Sequence, residues 1–216
     1  MMQKSKLDNY NSPRGASAYK SDYQTKVHRK VSDTLERRIF ARLFAGLGEV
    51  GSLLDLPCGA GRLYSLLAER SPRVYEADWS FTMVGLNRDD HQGAASGYLR
   101  CSALQIPFAD RAVDVVVSVR LSHHLETVAD REQHLRELCR VARKAVIVTY
   151  FSHYSLKNWL RRLRAPFNRK SPKHTLRTAQ VAAFAQACGY RLTTTIPLSL
   201  VGSGHVFALL RRHEPV

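Results

Sequence analysis

The hydrophobic pattern of the chain changes its period several times, and each change indicates a different secondary structure. Between residues 24 and 48, apolar residues recur every four positions, which is the spacing of one face of an amphipathic helix. The face consists of Val27, Val31, Leu35, Ile39, Leu43 and Leu47. We therefore expect a long helix that ends near residues 46–48 and follows an irregular polar arm over residues 1–23.

After residue 51, short apolar runs alternate with helical spacings. Predicted strands cover residues 52–56, 74–78, 98–99, 113–119 and 145–149. The largely β-branched run at 113–119 is typical of a parallel strand that is buried on both faces. Two last strands, near residues 191–196 and 205–210, lie close enough in sequence to form an antiparallel hairpin. The alternation predicts an α/β fold with an open, doubly wound and mostly parallel sheet.

The chain is long enough for one domain with its own core, and no second domain or internal repeat is predicted. We divide it into an N-terminal arm and amphipathic helix over residues 1–50 and a core over residues 51–216. The core carries a basic insertion at about residues 151–177.

A turn with two glycines follows the first predicted strand. Asp55 ends this strand, and Gly59 and Gly61 let a ligand approach the backbone and the helix N–H groups beyond it. Asp78 ends the second predicted strand, 19 residues after Gly59, where a carboxylate can accept hydrogen bonds from both hydroxyls of a ribose. The glycines alone fit an ordinary tight turn, but this combination favours nucleoside binding.

Two nucleoside cofactors fit this pattern, NAD(P) and S-adenosylmethionine. A dinucleotide site needs its first glycine where this turn has Pro57. The acidic Asp55 suits the ammonium group of a methionine moiety better than an anionic pyrophosphate. The residues therefore favour S-adenosylmethionine.

Five motifs carry a resemblance to a known family. Residues 53–62, Leu-Leu-Asp-Leu-Pro-Cys-Gly-Ala-Gly-Arg, resemble the first motif of class I S-adenosylmethionine-dependent methyltransferases, and residues 77–80 resemble the second. Residues 102–108 with 113–117, residues 118–125 and residues 136–141 are similar to motifs of the type 11, ubiquinone/menaquinone-C-methyltransferase-like group. The resemblance covers about residues 53–149 and implies a Rossmann-like, seven-stranded sheet and methyl transfer from S-adenosylmethionine.

The resemblance also implies a set of cofactor-binding residues at the ends of the strands. They are Asp55, Gly59 and Gly61 at the methionine end, Asp78 at the ribose, Trp79, Ser102, Ala103 and Leu104 at the adenine, and Arg120 near the methionine carboxylate.

Two departures from the family pattern bear on cofactor binding. Pro57 replaces a glycine and removes one backbone N–H group, and Ser102 replaces an aspartate that contacts adenine. These departures leave a second hypothesis, a regulatory or scaffold protein that binds S-adenosylmethionine without turnover. A third hypothesis is an NAD(P)-linked dehydrogenase on a similar sheet.

Two histidines follow the fourth predicted strand, where acceptors usually bind. Methyl transfer requires alignment of the partners and can require a base, so His123 and His124 are the candidate catalytic residues. Local packing is the alternative role for each. No Asn/Asp-Pro-Pro-Tyr/Phe sequence follows this strand, which disfavours methylation of an exocyclic amino group on a base.

The formal net charge of +15 is distributed unevenly. Residues 1–50 carry +5, residues 51–150 carry no net charge, and residues 151–216 carry +10. Eight cations and no acid lie between Lys157 and Arg177, interleaved with Trp159, Leu160, Leu163 and Phe167. This segment predicts a small or amphiphilic anionic acceptor and is also compatible with contact to an anionic membrane. Nucleic acid is less favoured, because no nucleic-acid-binding module is recognised.

From these features we expect a cytoplasmic protein, with peripheral contact at the inner membrane surface as an option. The opening residues contain no apolar signal segment, and no run approaches the length of a membrane span. The four cysteines lie far apart, without the spacing of a metal site or a disulfide framework, so no metal is predicted.

Overall fold

The computed structural model describes residues 27–156, 158–160, 174–199 and 203–213, with a few positions between residues 11 and 25. The helices are α1 (Val27–Ala45), α2 (Tyr64–Ala68), α3 (Phe81–Asp90), α4 (Val128–Val141) and α5 (Thr178–Ala187). The strands are β1 (Leu53–Asp55), β2 (Val74–Asp78), β3 (Gly97–Arg100), β4 (Val113–Ser118), β5 (Ala142–Phe151), β6 (Tyr190–Pro197) and β7 (His205–Arg212). Within these residues, no helix combines the length and the apolar character that a bilayer span requires.

The seven described strands form one sheet in the order β3-β2-β1-β4-β5-β7-β6. Strands β1 to β5 are parallel to one another, and β7 is inserted antiparallel between β5 and β6. The predicted fold class and the closing hairpin are therefore confirmed. The strand order reverses between β1 and β4, which is where an open α/β sheet forms a ligand-binding crevice.

Helices cover both faces of the sheet because alternate residues of the buried strands point in opposite directions. Val115 of β4 packs in a cluster with Phe40 of α1 and Leu67 of α2. Its neighbour Val116 packs in the opposite cluster with Leu138 of α4 and with residues of α5. The first face, with α1 and α2, also carries the acidic side chains described below.

Helix α1 does not bury the whole of its apolar face. Ile39 and Leu43 are buried, whereas Val27 and Val31 are 75% and 54% exposed. Glu36 contacts Arg120 beyond the end of β4, and the exposed Val27 and Val31 lie in the part of α1 that precedes it. The basic residues 161–173 of the predicted insertion lie outside the described residues, as does Lys157.

Candidate active site

The glycine turn between β1 and α2 is fixed by the strands on both sides of it. The Leu56 N–H group donates to Val117 O at 2.9 Å, and the Cys58 N–H group donates to Ala77 O at 2.8 Å. Gly61 has a φ of 75°, and a Cβ at this position would overlap the side-chain amide of Asn87 and lie 2.7 Å from His91 Cε1. Glycine is therefore required at residue 61 by both conformation and space.

Asp78 lies against this turn at the end of β2. Its Oδ2 accepts a hydrogen bond from the Gly59 N–H group at 3.0 Å, and its Oδ1 accepts one from the Ser80 N–H group at 2.8 Å. Each carboxylate oxygen keeps a further lone pair for a ligand. Burial raises the pKa of Asp78, and these backbone hydrogen bonds oppose that shift.

Asp55, at the end of β1, is completely buried. Neither of its carboxylate oxygens has a hydrogen-bond partner in the part of the chain that the structure describes. Burial, together with the neighbouring charge of Glu76, raises the pKa of Asp55 well above its usual range, while Arg62 opposes the shift. The site thus holds a buried carboxyl group that needs a cationic partner or a proton.

Glu76 is a functional candidate that the sequence interpretation missed. It lies next to Asp55 in the parallel register of β1 and β2. The Asn87 amide donates to its Oε2 at 2.6 Å, and burial raises the pKa of Glu76 to about 8. The available signal was an acidic residue in the middle of β2, in addition to Asp78 at its end.

The predicted adenine residues lie together at the ends of β2 and β3. Trp79 is 43% exposed, and the guanidinium of Arg100 stands 5.6 Å from the centre of its ring. The Cys101 N–H group donates a hydrogen bond to Asp78 O. This bond holds the following turn, which contains Ser102, Ala103 and Leu104, beside β2. The Ser102 hydroxyl accepts a hydrogen bond from the Leu104 N–H group at 3.1 Å.

Arg120 follows β4 on the other side of the crevice, in the left-handed region with a φ of 66°. Its N–H group donates to Thr149 Oγ1 at 2.6 Å, and its guanidinium donates to Ser32 and to Glu36 of α1. Glu36 also accepts from Arg62 at 2.6 Å, so this buried carboxylate bridges two arginines. Sequence interpretation found Arg120 but not its α1 partners.

Four rings meet at the ends of β4 and β5. The His123 ring lies 4.1 Å from His124, 4.3 Å from Phe151 and 5.1 Å from His205, measured between ring centres. Phe151 and His205 are register partners in the antiparallel pair of β5 and β7. The structure thus brings the two predicted histidines together and adds His205, whose isolated position in the sequence gave no signal.

The family comparison agrees with this architecture. Residues 54–149 match a family model that is described as a methyltransferase domain. This part of the chain is similar to methyltransferase domains. The family predicted from the motifs is therefore confirmed, as is S-adenosylmethionine as the cofactor of that family.

Curated relatives match the same region. A putative methyltransferase of Encephalitozoon cuniculi is 34% identical over 89 residues, which cover 41% of this chain and 39% of that protein. A demethylmenaquinone methyltransferase of Thermobifida fusca is 32% identical over 106 residues, which cover 47% of this chain and 44% of that protein. The chain therefore spans less than half the length of these relatives.

Solved structures share the fold over a longer stretch. The magnesium protoporphyrin IX methyltransferase of Synechocystis, crystallised with bound SAH, superposes with a TM-score of 0.76 over 95% of this chain and 97% of that one. The sequence identity is 18%, so the likeness concerns the fold.

Proposed function

We propose that this protein transfers the methyl group of S-adenosylmethionine to a small, amphiphilic, anionic acceptor. The observation that carries the proposal is the fully buried Asp55, whose two oxygens lack partners in the described residues and lie under a glycine turn at the switch point of the sheet. A carboxylate in this position fits the ammonium group of the cofactor.

The other residues of the crevice fit the remaining parts of the cofactor. Asp78 would accept hydrogen bonds from the ribose hydroxyls, and Trp79 would stack on the adenine, supported by Arg100 on its own ring. Residues 102–104 would border the adenine edge. When bound, the cofactor supplies an electrophilic methyl group on a positively charged sulfur.

The imidazole cluster is the proposed acceptor side of the site. The protein contributes mainly by aligning the acceptor, and an imidazole nitrogen of His123 or His124 would accept the proton that the acceptor loses. The rings of Phe151 and His205 lie against His123 and restrict its orientation. His205 would therefore act as a positioning residue.

The surface that follows β5 supports an amphiphilic acceptor. Tyr154 is 69% exposed and Trp159 is 49% exposed, and Leu156 and Leu160 are exposed beside them. The sequence adds eight cations between residues 157 and 177, without an acid. Exposed aromatic and apolar residues next to cations suit an anionic amphiphile and also the surface of an anionic membrane. We propose peripheral contact of this surface with the inner membrane on the cytoplasmic side.

The names of two similar proteins fit this acceptor class. The Thermobifida relative is named for demethylmenaquinone and the Synechocystis structure for magnesium protoporphyrin IX. Both names refer to small molecules.

Methyl-labelled cofactor tests the proposal. The protein is incubated with a lysate and with tritiated S-adenosylmethionine, and the products are separated into lipid, small-molecule, nucleic-acid and protein fractions. We expect label in the lipid or small-molecule fraction, and label confined to nucleic acid or protein would overturn the acceptor class. Tight binding of the cofactor without label in any fraction would favour the regulatory alternative.

A further inference from the structure

We propose that Asp55 and Glu76 form a carboxyl pair that shares a proton in the free protein and exchanges it for the ammonium group of a bound ligand. The inference rests on the proposed function, because the ammonium group belongs to the amino-acid part of S-adenosylmethionine. It assigns a ligand-linked role to Glu76, which lies within a strand rather than at its end.

The register of the sheet places the two carboxyl groups side by side. Asp55 of β1 is the register partner of Glu76 of β2, so both side chains point to the same face. Both residues are completely buried. Two ionised carboxylates in such a position repel each other and have lost their hydration, so a proton held by the pair relieves both costs.

The hydrogen bonds of the pair are unequal. Glu76 Oε2 accepts from the Asn87 amide at 2.6 Å, whereas neither oxygen of Asp55 has a partner among the described residues. The partner of Asp55 on its other side is Val117 of β4, which offers no polar group. Asp55 is therefore the member of the pair whose charge no hydrogen bond from the described residues compensates.

The remaining groups around the pair do not remove the need for a proton. The titratable neighbours are Asp78 on β2, Cys58 and Arg62 in the glycine turn, and Tyr64 on α2, while α3 contributes Asn87 with His91 behind it. Arg62 is engaged by Asp33 and Glu36 at 2.5 and 2.6 Å. Burial keeps the pKa of Asp55 well above its usual range and that of Glu76 at about 8.

The proton balance of the exchange is simple. The free pair holds one proton, the ligand arrives with its ammonium group already protonated, and the proton of the pair leaves to the buffer. No electron or covalent bond of the ligand changes. At about pH 6.5 an α-ammonium group, whose ordinary pKa is about 7.7–8.0, is protonated before and after binding. The released proton therefore comes from the protein at this pH.

Calorimetric titration in buffers of different ionisation enthalpy measures this proton. We expect release of about one proton for each S-adenosylmethionine or S-adenosylhomocysteine bound near pH 6.5, because both carry the ammonium group. The release is expected to decrease as the pH rises past 8, the pKa of Glu76. 5′-Methylthioadenosine, which lacks the amino-acid part, is expected to bind without proton release.

Three variants identify the source of the proton. Glu76→Gln keeps an acceptor for Asn87 and places an amide donor beside Asp55. We therefore expect proton release near pH 6.5 to fall below half of the wild-type value. Asp55→Asn is expected to abolish release and to weaken S-adenosylhomocysteine binding more than tenfold. Asp114→Asn removes a buried carboxylate that is bonded to Arg143, next to the start of β4, and serves as the control with unchanged release.

The possible failures are distinguishable. If neither S-adenosylmethionine nor S-adenosylhomocysteine binds the wild-type protein, the proposed function is wrong. Binding without proton release overturns the carboxyl pair and leaves the proposed function intact. Undiminished release in folded Glu76→Gln, checked by circular dichroism and thermal unfolding, also overturns the pair, because Asp55 would then hold the proton alone.

Discussion

Glu36 of helix α1 is bonded to Arg120, which lies 84 residues further along the chain at the end of β4. The Glu36 side chain is almost completely buried, and its second oxygen accepts from Arg62 of the glycine turn at 2.6 Å. The N-terminal helix is therefore tied to both sides of the switch point. This contact makes α1 a part of the crevice rather than a separate covering element.

Replacement of Glu36 is expected to destabilise the protein strongly. Glu36→Gln removes the charge that compensates two guanidinium groups, and loss of one member of a buried ion pair costs about 3 kcal/mol or more. Urea unfolding measures the change in the free energy of unfolding. Glu69→Gln, at an exposed position, is the control and is expected to change stability by less than about 0.5 kcal/mol. Equal losses in the two variants would contradict the structural role of the bridge.

The glycine turn allows a test that separates steric overlap from backbone strain. Gly61 and Gly93 have φ values of 75° and 71°, but only Gly61 has side chains in the space of a Cβ. Gly93→Ala is expected to cost about 1–2 kcal/mol of stability through its backbone and to leave S-adenosylhomocysteine affinity unchanged. Gly61→Ala also displaces Asn87, so we expect a larger loss of stability and a more than tenfold loss of affinity by calorimetry. Similar S-adenosylhomocysteine affinities for the two variants would contradict a steric requirement for glycine at residue 61.

The sequence allowed prediction of those features that depend on local spacing. The period of the apolar residues predicted the strands, and Asp55, Gly59 and Asp78 follow directly from the ends of β1 and β2. The contact of Glu36 with Arg120 was not predictable, because it depends on where α1 docks on the sheet. His205 was missed for a similar reason, since only the insertion of β7 beside β5 brings it to Phe151. Long-range contacts of this kind leave no periodic signal.

Buried His134 is expected to make stability depend on pH. Its Nε2 lies 3.0 Å from Ser118 Oγ, and burial lowers its pKa from 6.5 to about 4. Because the folded-state pKa is the lower one, the unfolded state binds more protons between these values. The neutral ring therefore contributes stability that is fully present above pH 6.5 and is lost as the pH falls towards 4, by up to about 3 kcal/mol.

The His134→Gln variant isolates this contribution. Wild type and variant are unfolded in urea at a series of pH values, and their difference in free energy of unfolding is compared across the series. We expect the wild type to lose stability relative to the variant as the pH falls below 6.5. A difference that stays constant with pH would show that His134 does not resist protonation in the folded state.

The imidazole cluster gives the sharpest test of the acceptor side. His123→Gln removes one of the two candidate bases; if His123 is the base, kcat for methyl transfer falls by about 100-fold or more, with S-adenosylhomocysteine affinity changed less than twofold. His205→Gln leaves the base in place but removes a ring that packs 5.1 Å from it, so we expect a smaller fall in kcat and a change in the pH profile of the reaction. His213→Gln, at an exposed position beyond the end of β7, is the matched control. A fall in kcat that is equally large for His213 would attribute the effect to general destabilisation, whereas unchanged kcat in His123→Gln would leave His124 as the candidate base.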